Sequence, residues 1–185
     1  MIYETGFWSQ ELHDKGHAFS YRLAQQIAQI LPKSERVYDY GCGIGSYLRY
    51  LHDIGFKSVY GFDGIIPSNN EISNIGVQDL TEPMVGMDRG NTLCLEVGEH
   101  IPEEHLGTFF DNITKNCLGI CILSFGVPNQ GGDGHVSCRP NIWVVGEMTK
   151  RGFELDVQAS MDARSVVENH VSWFRESFMV YRRKK

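Results

Sequence analysis

Residues 36–48 read Arg-Val-Tyr-Asp-Tyr-Gly-Cys-Gly-Ile-Gly-Ser-Tyr-Leu, and no other stretch narrows the fold as far. A β-branched and aromatic run passes through Asp39 into glycines at alternate positions, Gly41, Gly43 and Gly45, and a helix-like pattern follows. Glycine lets the backbone turn sharply and approach a ligand with no Cβ in the way. The order strand, glycine turn, helix is the setting in which such a run carries meaning. The acid two residues ahead of the first glycine, and the missing Lys-Ser/Thr, set the segment apart from a phosphate-binding P-loop.

The rest of the chain alternates between helix and strand signals, which predicts an α/β fold. Ala18–Leu31 places Leu23, Ile27, Ile30 and Leu31 near helical spacing and stops at Pro32. Val37–Tyr40 reads as the first strand, Ser46–Ile54 as a helix ended by Gly55, and Ser58–Phe62 as a second strand running into Asp63. Glu71–Ile75 predicts a short helical turn and Val77–Leu80 a short third strand. Asn91–Val97 follows as a fourth. Pro102–Asn116 reads as a helix with proline in its first turn. Leu118–Phe125 is continuously apolar, as a strand buried on both faces would be. Pro140–Arg151 predicts a helix, and Phe153–Val157 with Ser177–Arg182 a closing antiparallel hairpin.

The 185 residues make one domain, 1–185, the most economical reading, with 1–34 as a helical N-terminal segment. A formal net charge of −6 argues against broad nucleic-acid binding, despite the basic end Arg182-Arg183-Lys184-Lys185. Five scattered cysteines form no disulfide pattern and read as buried hydrophobes in a reducing compartment. No apolar run is long enough for a membrane span and no leader pattern opens the chain. The expectation is a soluble cytoplasmic protein, or one of the host cytoplasm if its source is viral.

The opening segment resembles the first motif of class I S-adenosylmethionine-dependent methyltransferases, an apolar strand followed by Asp-x-Gly-x-Gly-x-Gly. A dehydrogenase would carry its last glycine one place later, where Ser46 stands. The resemblance implies a doubly wound, Rossmann-like sheet of about seven strands with helices on both faces and the last strand antiparallel. Ligands in such sheets bind beyond the carboxyl ends of the strands. The resemblance thus gathers Asp39, Gly41, Cys42, Gly43, Asp63, Gly64, Asp79, Leu80, Glu96 and His17 around S-adenosylmethionine. Asp63 can accept from both ribose hydroxyls. Asp79-Leu80 resembles the adenine-contacting pair, and Asp39 can reach the cofactor's amino group through water. Trp8, His17 and Ser20 can lid the methionine end.

The second informative segment is Glu96-Val-Gly-Glu99-His100-Ile-Pro. Two carboxylates and an imidazole within five residues suit Mg²⁺, Mn²⁺ or Zn²⁺ with positions open for substrate oxygens. His135, in a glycine-rich loop ending in Arg139-Pro140, can reach the same crevice. The set Glu96, Glu99, His100 and His135 resembles the metal site of small-RNA 2′-O-methyltransferases and of ubiquinone-pathway O-methyltransferases. The loop and the Glu-His-Ile-Pro segment together resemble sugar O-methyltransferase-like domains of large DNA viruses and bacteria. Ser137 departs from that group, where Asn is expected. Without a metal, His135 or His100 would be the general base. Arg139 can take an anionic substrate group. Trp143 and Trp173 suit a core or a stacking platform.

These residues predict an S-adenosylmethionine-dependent O-methyltransferase, with catalytic residues His135, His100 and Glu99 and a sugar or glycan hydroxyl as acceptor. The alternatives are a catechol-like or quinone-precursor metabolite, an RNA ribose hydroxyl, or a cofactor-binding domain without catalysis. No membrane partner is expected, and the acidic charge counts against nucleic acid.

Overall fold

The computed structural model describes Glu11 and residues 17–185; Trp8 lies outside them. A seven-stranded sheet runs in the order β3-β2-β1-β4-β5-β7-β6. Its strands are β1 (Val37–Tyr40), β2 (Val59–Asp63), β3 (Ile75–Val77), β4 (Gly90–Cys94), β5 (Cys117–Ser124), β6 (Phe153–Leu155) and β7 (Phe178–Arg183). β1 pairs in parallel with β2 and β4, and β3 and β5 extend the parallel run outward. β7 inserts antiparallel between β5 and β6. The chain therefore has the Rossmann-like methyltransferase architecture, with the switch in strand order between β1 and β4.

Alternation along the central strands feeds two cores. Val37, Leu93, Ile122 and Val180 face α1 (Tyr21–Ile30), α2 (Ser46–Asp53) and α5 (Val157–Ser165). Tyr38, Tyr40, Cys94, Leu123 and Tyr181 face α3 (Leu106–Lys115) and α4 (Asn141–Lys150). β5 is buried on both faces, as its unbroken apolar run predicts. α1 starts at Ser20, whose hydroxyl caps the helix by accepting from Leu23 N–H at 3.0 Å. Ser20 also donates to Glu168, so it joins the first helix to the C-terminal part of the chain.

Four expectations are corrected. Glu71–Asn74 forms bends instead of a helical turn, and the third strand begins at Ile75 instead of Val77. Ile75 is buried opposite Gly61, whereas Asp79 closes a turn by accepting from Thr81 N–H at 2.8 Å. β4 ends at Cys94, because Glu96 takes the left-handed conformation (φ 55°) and leaves the ladder. β6 ends at Leu155, because Asp156 caps α5 by accepting from Ala159 N–H at 3.1 Å. The predicted antiparallel pairing forms, but α5 and a further short helix, α6 (Phe174–Ser177), lie between its strands.

Candidate active site

The carboxyl ends of β1, β2 and β4 open onto a cavity of about 380 Å³. One wall is the glycine turn. Gly41 and Cys42 donate their amides to Phe62 O at 2.7 and 3.1 Å, which folds the turn back over β2. Gly43, at φ 55°, donates to Asp63 Oδ2 at 2.8 Å, and Gly64 donates to Oδ1 at 2.7 Å. Both Asp63 oxygens are thus oriented by backbone amides where the residue lines the cavity. A Cβ on Gly43 would lie 2.1 Å from the ring of His17, so only glycine permits this close approach. His17, Asp39, Gly41, Cys42, Asp63, Gly64, Leu80 and Glu96 all line the cavity, together with Gln78. Asp79 does not line it and holds Thr81 instead.

The acids of this wall are displaced from their ordinary range. Burial raises Asp39 well above it, and the charge of Asp63 adds to the effect. Burial also raises Asp63, against the opposing pull of the Gly43 and Gly64 amides.

The opposite wall carries His100 and His135, with the fully buried Glu99 behind them. A 3₁₀ turn, Gly98–His100, follows β4 and turns Glu99 and His100 inward. Its tight seat depends on Gly98, where a Cβ would stand 2.1 Å from Cε2 of Phe125. Gly98→Ala should destabilise the fold by roughly 1–3 kcal/mol through overpacking, read as a fall in Tm; an unchanged Tm would show that the turn has slack. The loop 126–140 reaches back to this turn, where Val136 and Ser137 N–H both donate to Glu99 O at 2.9 Å. Candidate ligand atoms of Glu99, His100 and His135 all lie within 4.8 Å of one another. His135 Nε2 is 4.0 Å from Glu99 Oε1, and the two imidazole rings meet edge to face at 4.9 Å.

Glu99 is fully buried, and neither carboxylate oxygen completes a well-formed hydrogen bond, although the Glu99 and Gly126 amides and the Glu96 carboxyl lie close. Burial raises its pKa well above the usual range, and the neighbouring Glu96 carboxylate raises it further. Burial pushes His100 down to about 4, helped by His135, so its ring is neutral at neutral pH.

A pH dependence of stability follows. Asp39, Asp63 and Glu99 bind protons more tightly folded than unfolded, so their contribution is full below about pH 4 and is lost as pH rises. His100 acts oppositely: its contribution is full above pH 6.5 and is lost as pH falls toward about 4. Thermal unfolding from pH 4 to 9 should therefore show a maximum on the mildly acidic side. In Glu99→Gln the alkaline decline should be shallower, and a wild-type slope in that variant would remove Glu99 as a cause.

Of the predicted metal set, Glu96 is not within the three-residue cluster, although its carboxylate neighbours that of Glu99. Its carboxylate accepts from Ser177 Oγ at 2.9 Å and from Gln130 Nε2. Arg139 lies outside the lining, paired with Glu103 at 2.8 Å and held over Trp143 at 5.4 Å. Ser137 is buried, and Trp143 packs among Phe110 and Phe125. Trp173 does line the cavity, with Phe174. Gln78, Gln130 and Phe174 were not foreseen; only Gln130, in the glycine-rich loop, had a sequence signal.

No family model matches the sequence, and no curated protein is similar to it. Solved structures share the fold. A sugar N-methyltransferase from Streptoalloteichus superposes with a TM-score of 0.70 at 13% identity, over 97% of this chain and 94% of that one. Magnesium protoporphyrin IX methyltransferase from Synechocystis, with S-adenosylhomocysteine bound, gives 0.62 at 19% identity, over 95% and 83%. A [4+2]-cyclase gives 0.60 at 12%, over 88% and 80%. Both the methyltransferases and the cyclase are built on this fold, so the reaction has to be argued from the site.

Proposed function

We propose that this chain is an S-adenosylmethionine-dependent O-methyltransferase whose acceptor is a sugar or glycan hydroxyl with a neighbouring oxygen. The observation that carries the reading is the pair of facing walls. A glycine turn and a backbone-anchored acid stand across one cavity from two imidazoles that are backed by a buried acid. An amine brings its own lone pair to a methyl group. A hydroxyl must lose a proton, and a carboxyl beside two imidazoles is apparatus for that task.

In this reading Asp63 accepts from the ribose hydroxyls, and the Gly41–Gly45 turn carries the methionine portion. His17 and Asp39 face the same ligand. The displacement breaks the sulfur–methyl bond as the oxygen–methyl bond forms, so oxygen, methyl and sulfur must be aligned. Without a bound ion, His135 Nε2, which lies 4.0 Å from Glu99 Oε1, takes the hydroxyl proton. Trp173 offers its face to the acceptor.

A divalent ion fits the Glu99, His100 and His135 cluster. The buried Glu99 oxygens lack well-formed hydrogen bonds, the His100 ring is neutral, and the spacing suits one ion. Such an ion would supply Lewis-acid activation of the hydroxyl. The test is incubation with methyl-labelled S-adenosylmethionine and panels of sugars, catechols, amines and RNA, with and without EDTA. Label in a sugar ether is expected; label only in amines would overturn the reading, and EDTA-insensitive transfer would remove the metal.

A further inference from the structure

Glu96 has a conformation that needs an explanation. It is a non-glycine residue at φ 55°, a backbone state that costs free energy unless its surroundings impose it. Those surroundings come from three other segments. Its N–H donates to Ser124 Oγ at the end of β5, at 2.8 Å. One carboxylate oxygen accepts from Ser177 Oγ, at the end of α6, and the other from Gln130 Nε2 in the 126–140 loop.

Gln130 carries the connection onward. Its side-chain oxygen accepts from Val127 N–H at 3.2 Å, and its N–H donates to Val127 O at 2.9 Å. Its main-chain oxygen lies 3.1 Å from His135 Nδ1. A carbonyl can only accept, so this contact favours the proton on Nδ1, with Nε2 left to face Glu99; Cys138 Sγ, at 3.5 Å, also lies against Nδ1. Between them lie Gly131 and Gly132, an exposed stretch with large conformational entropy to lose. A Cβ at Gly132 would stand 2.2 Å from His135 Nε2, so the ring rests directly on that backbone.

We propose that Glu96 is a positioning residue, not a ligand: through Gln130 it fixes the tautomer and place of His135, and through Ser177 it ties the Trp173-bearing segment to the same node. The proposal rests on the reading of Glu99, His100 and His135 as the acceptor-side machinery. It predicts that Gln serves at position 96. The amide oxygen can still accept from Gln130, and the amide nitrogen can donate to the Ser177 hydroxyl.

The test uses the full chain and two independent readouts. The first is imidazole ¹H–¹⁵N correlation NMR, which reports the His135 tautomer with no metal present. The second is calorimetric titration with Mn²⁺. Wild type and Glu96→Gln should both show His135 protonated at Nδ1 and bind Mn²⁺ within about three-fold of each other. Glu96→Ala and Gln130→Ala should both give mixed tautomers and bind Mn²⁺ about ten-fold more weakly, as loss of a supporting partner does. Gln130→Ala changes a loop residue and keeps the test valid should Glu96→Ala not fold. Glu99→Gln should retain the tautomer and lose Mn²⁺ binding. If Glu96→Gln loses Mn²⁺ as completely as Glu99→Gln, Glu96 is a ligand and the proposal fails. It also fails if Gln130→Ala leaves the His135 spectrum unchanged. If wild type takes up no Mn²⁺, the metal reading fails by itself, and the NMR arm still decides the role of Glu96.

Discussion

Asp63→Ala is expected to weaken S-adenosylhomocysteine binding by roughly a thousand-fold, about 4 kcal/mol for two hydrogen bonds to an ionised acceptor. The reason is the way the carboxylate is held. The Gly43 and Gly64 amides fix one oxygen each, so no other conformer competes with the ligand-facing one. Binding of hydroxyls also favours the ionised form over the raised pKa that burial imposes. Affinity should therefore rise with pH until Asp63 is fully ionised in the free protein. Asp63→Asn separates binding from folding, because its amide oxygen still accepts from one of the two glycines. That variant should fold, by circular dichroism, and still bind more than about ten-fold more weakly. Full affinity in a folded Asp63→Asn would mean that the ligand lies elsewhere.

The second large effect has opposite signs in stability and activity. Glu99→Gln removes a fully buried carboxyl that lacks well-formed hydrogen bonds and lies near another acid. Relief of that unfavourable burial should raise stability by about 1 kcal/mol, a Tm gain of roughly 3 °C in a chain of this size. Methyl transfer should fall by roughly a thousand-fold, within the range for loss of proton-transfer apparatus. A site that is destabilising when empty and necessary when occupied is the usual form of a stability–activity conflict. A less stable variant with intact transfer would show that Glu99 is a structural residue.

The opening motif made much of the fold legible. Three glycines between an apolar strand and a helix leave few backbone paths, and each of the three has positive φ. β5 was legible for a similar reason: only a strand covered on both faces tolerates so unbroken an apolar run. α5 was not legible, because its pattern is inverted. Val157 and Met161 are exposed while Ser160 and Ala163 are buried, so tertiary contact overrides the apolar periodicity. The signal that was present was Asp156, an N-cap read as part of a strand. The start of β3 was missed because a three-residue edge strand is placed by its pairing with Gly61–Asp63, which local sequence does not encode.

In the site, the sequence grouped Glu96, Glu99, His100 and His135 by residue type. The structure brings three of the four together and gives Glu96 to Gln130 and Ser177. No spacing rule separates Glu96 from Glu99, since the difference is the left-handed turn at Glu96 itself. Asp79 and Arg139 were likewise picked by type, but turn geometry and a facing acid engage them locally.

The cavity between the glycine turn and the His100–His135 wall should hold a methyl donor. Calorimetric titration of the full chain with S-adenosylhomocysteine tests it most directly. One site per chain is expected, with a Kd in the micromolar range, about −8 kcal/mol, weakened to about 1 mM in Asp63→Ala. A flat titration of wild type up to about 1 mM ligand, where even a −4 kcal/mol interaction would register, would contradict it.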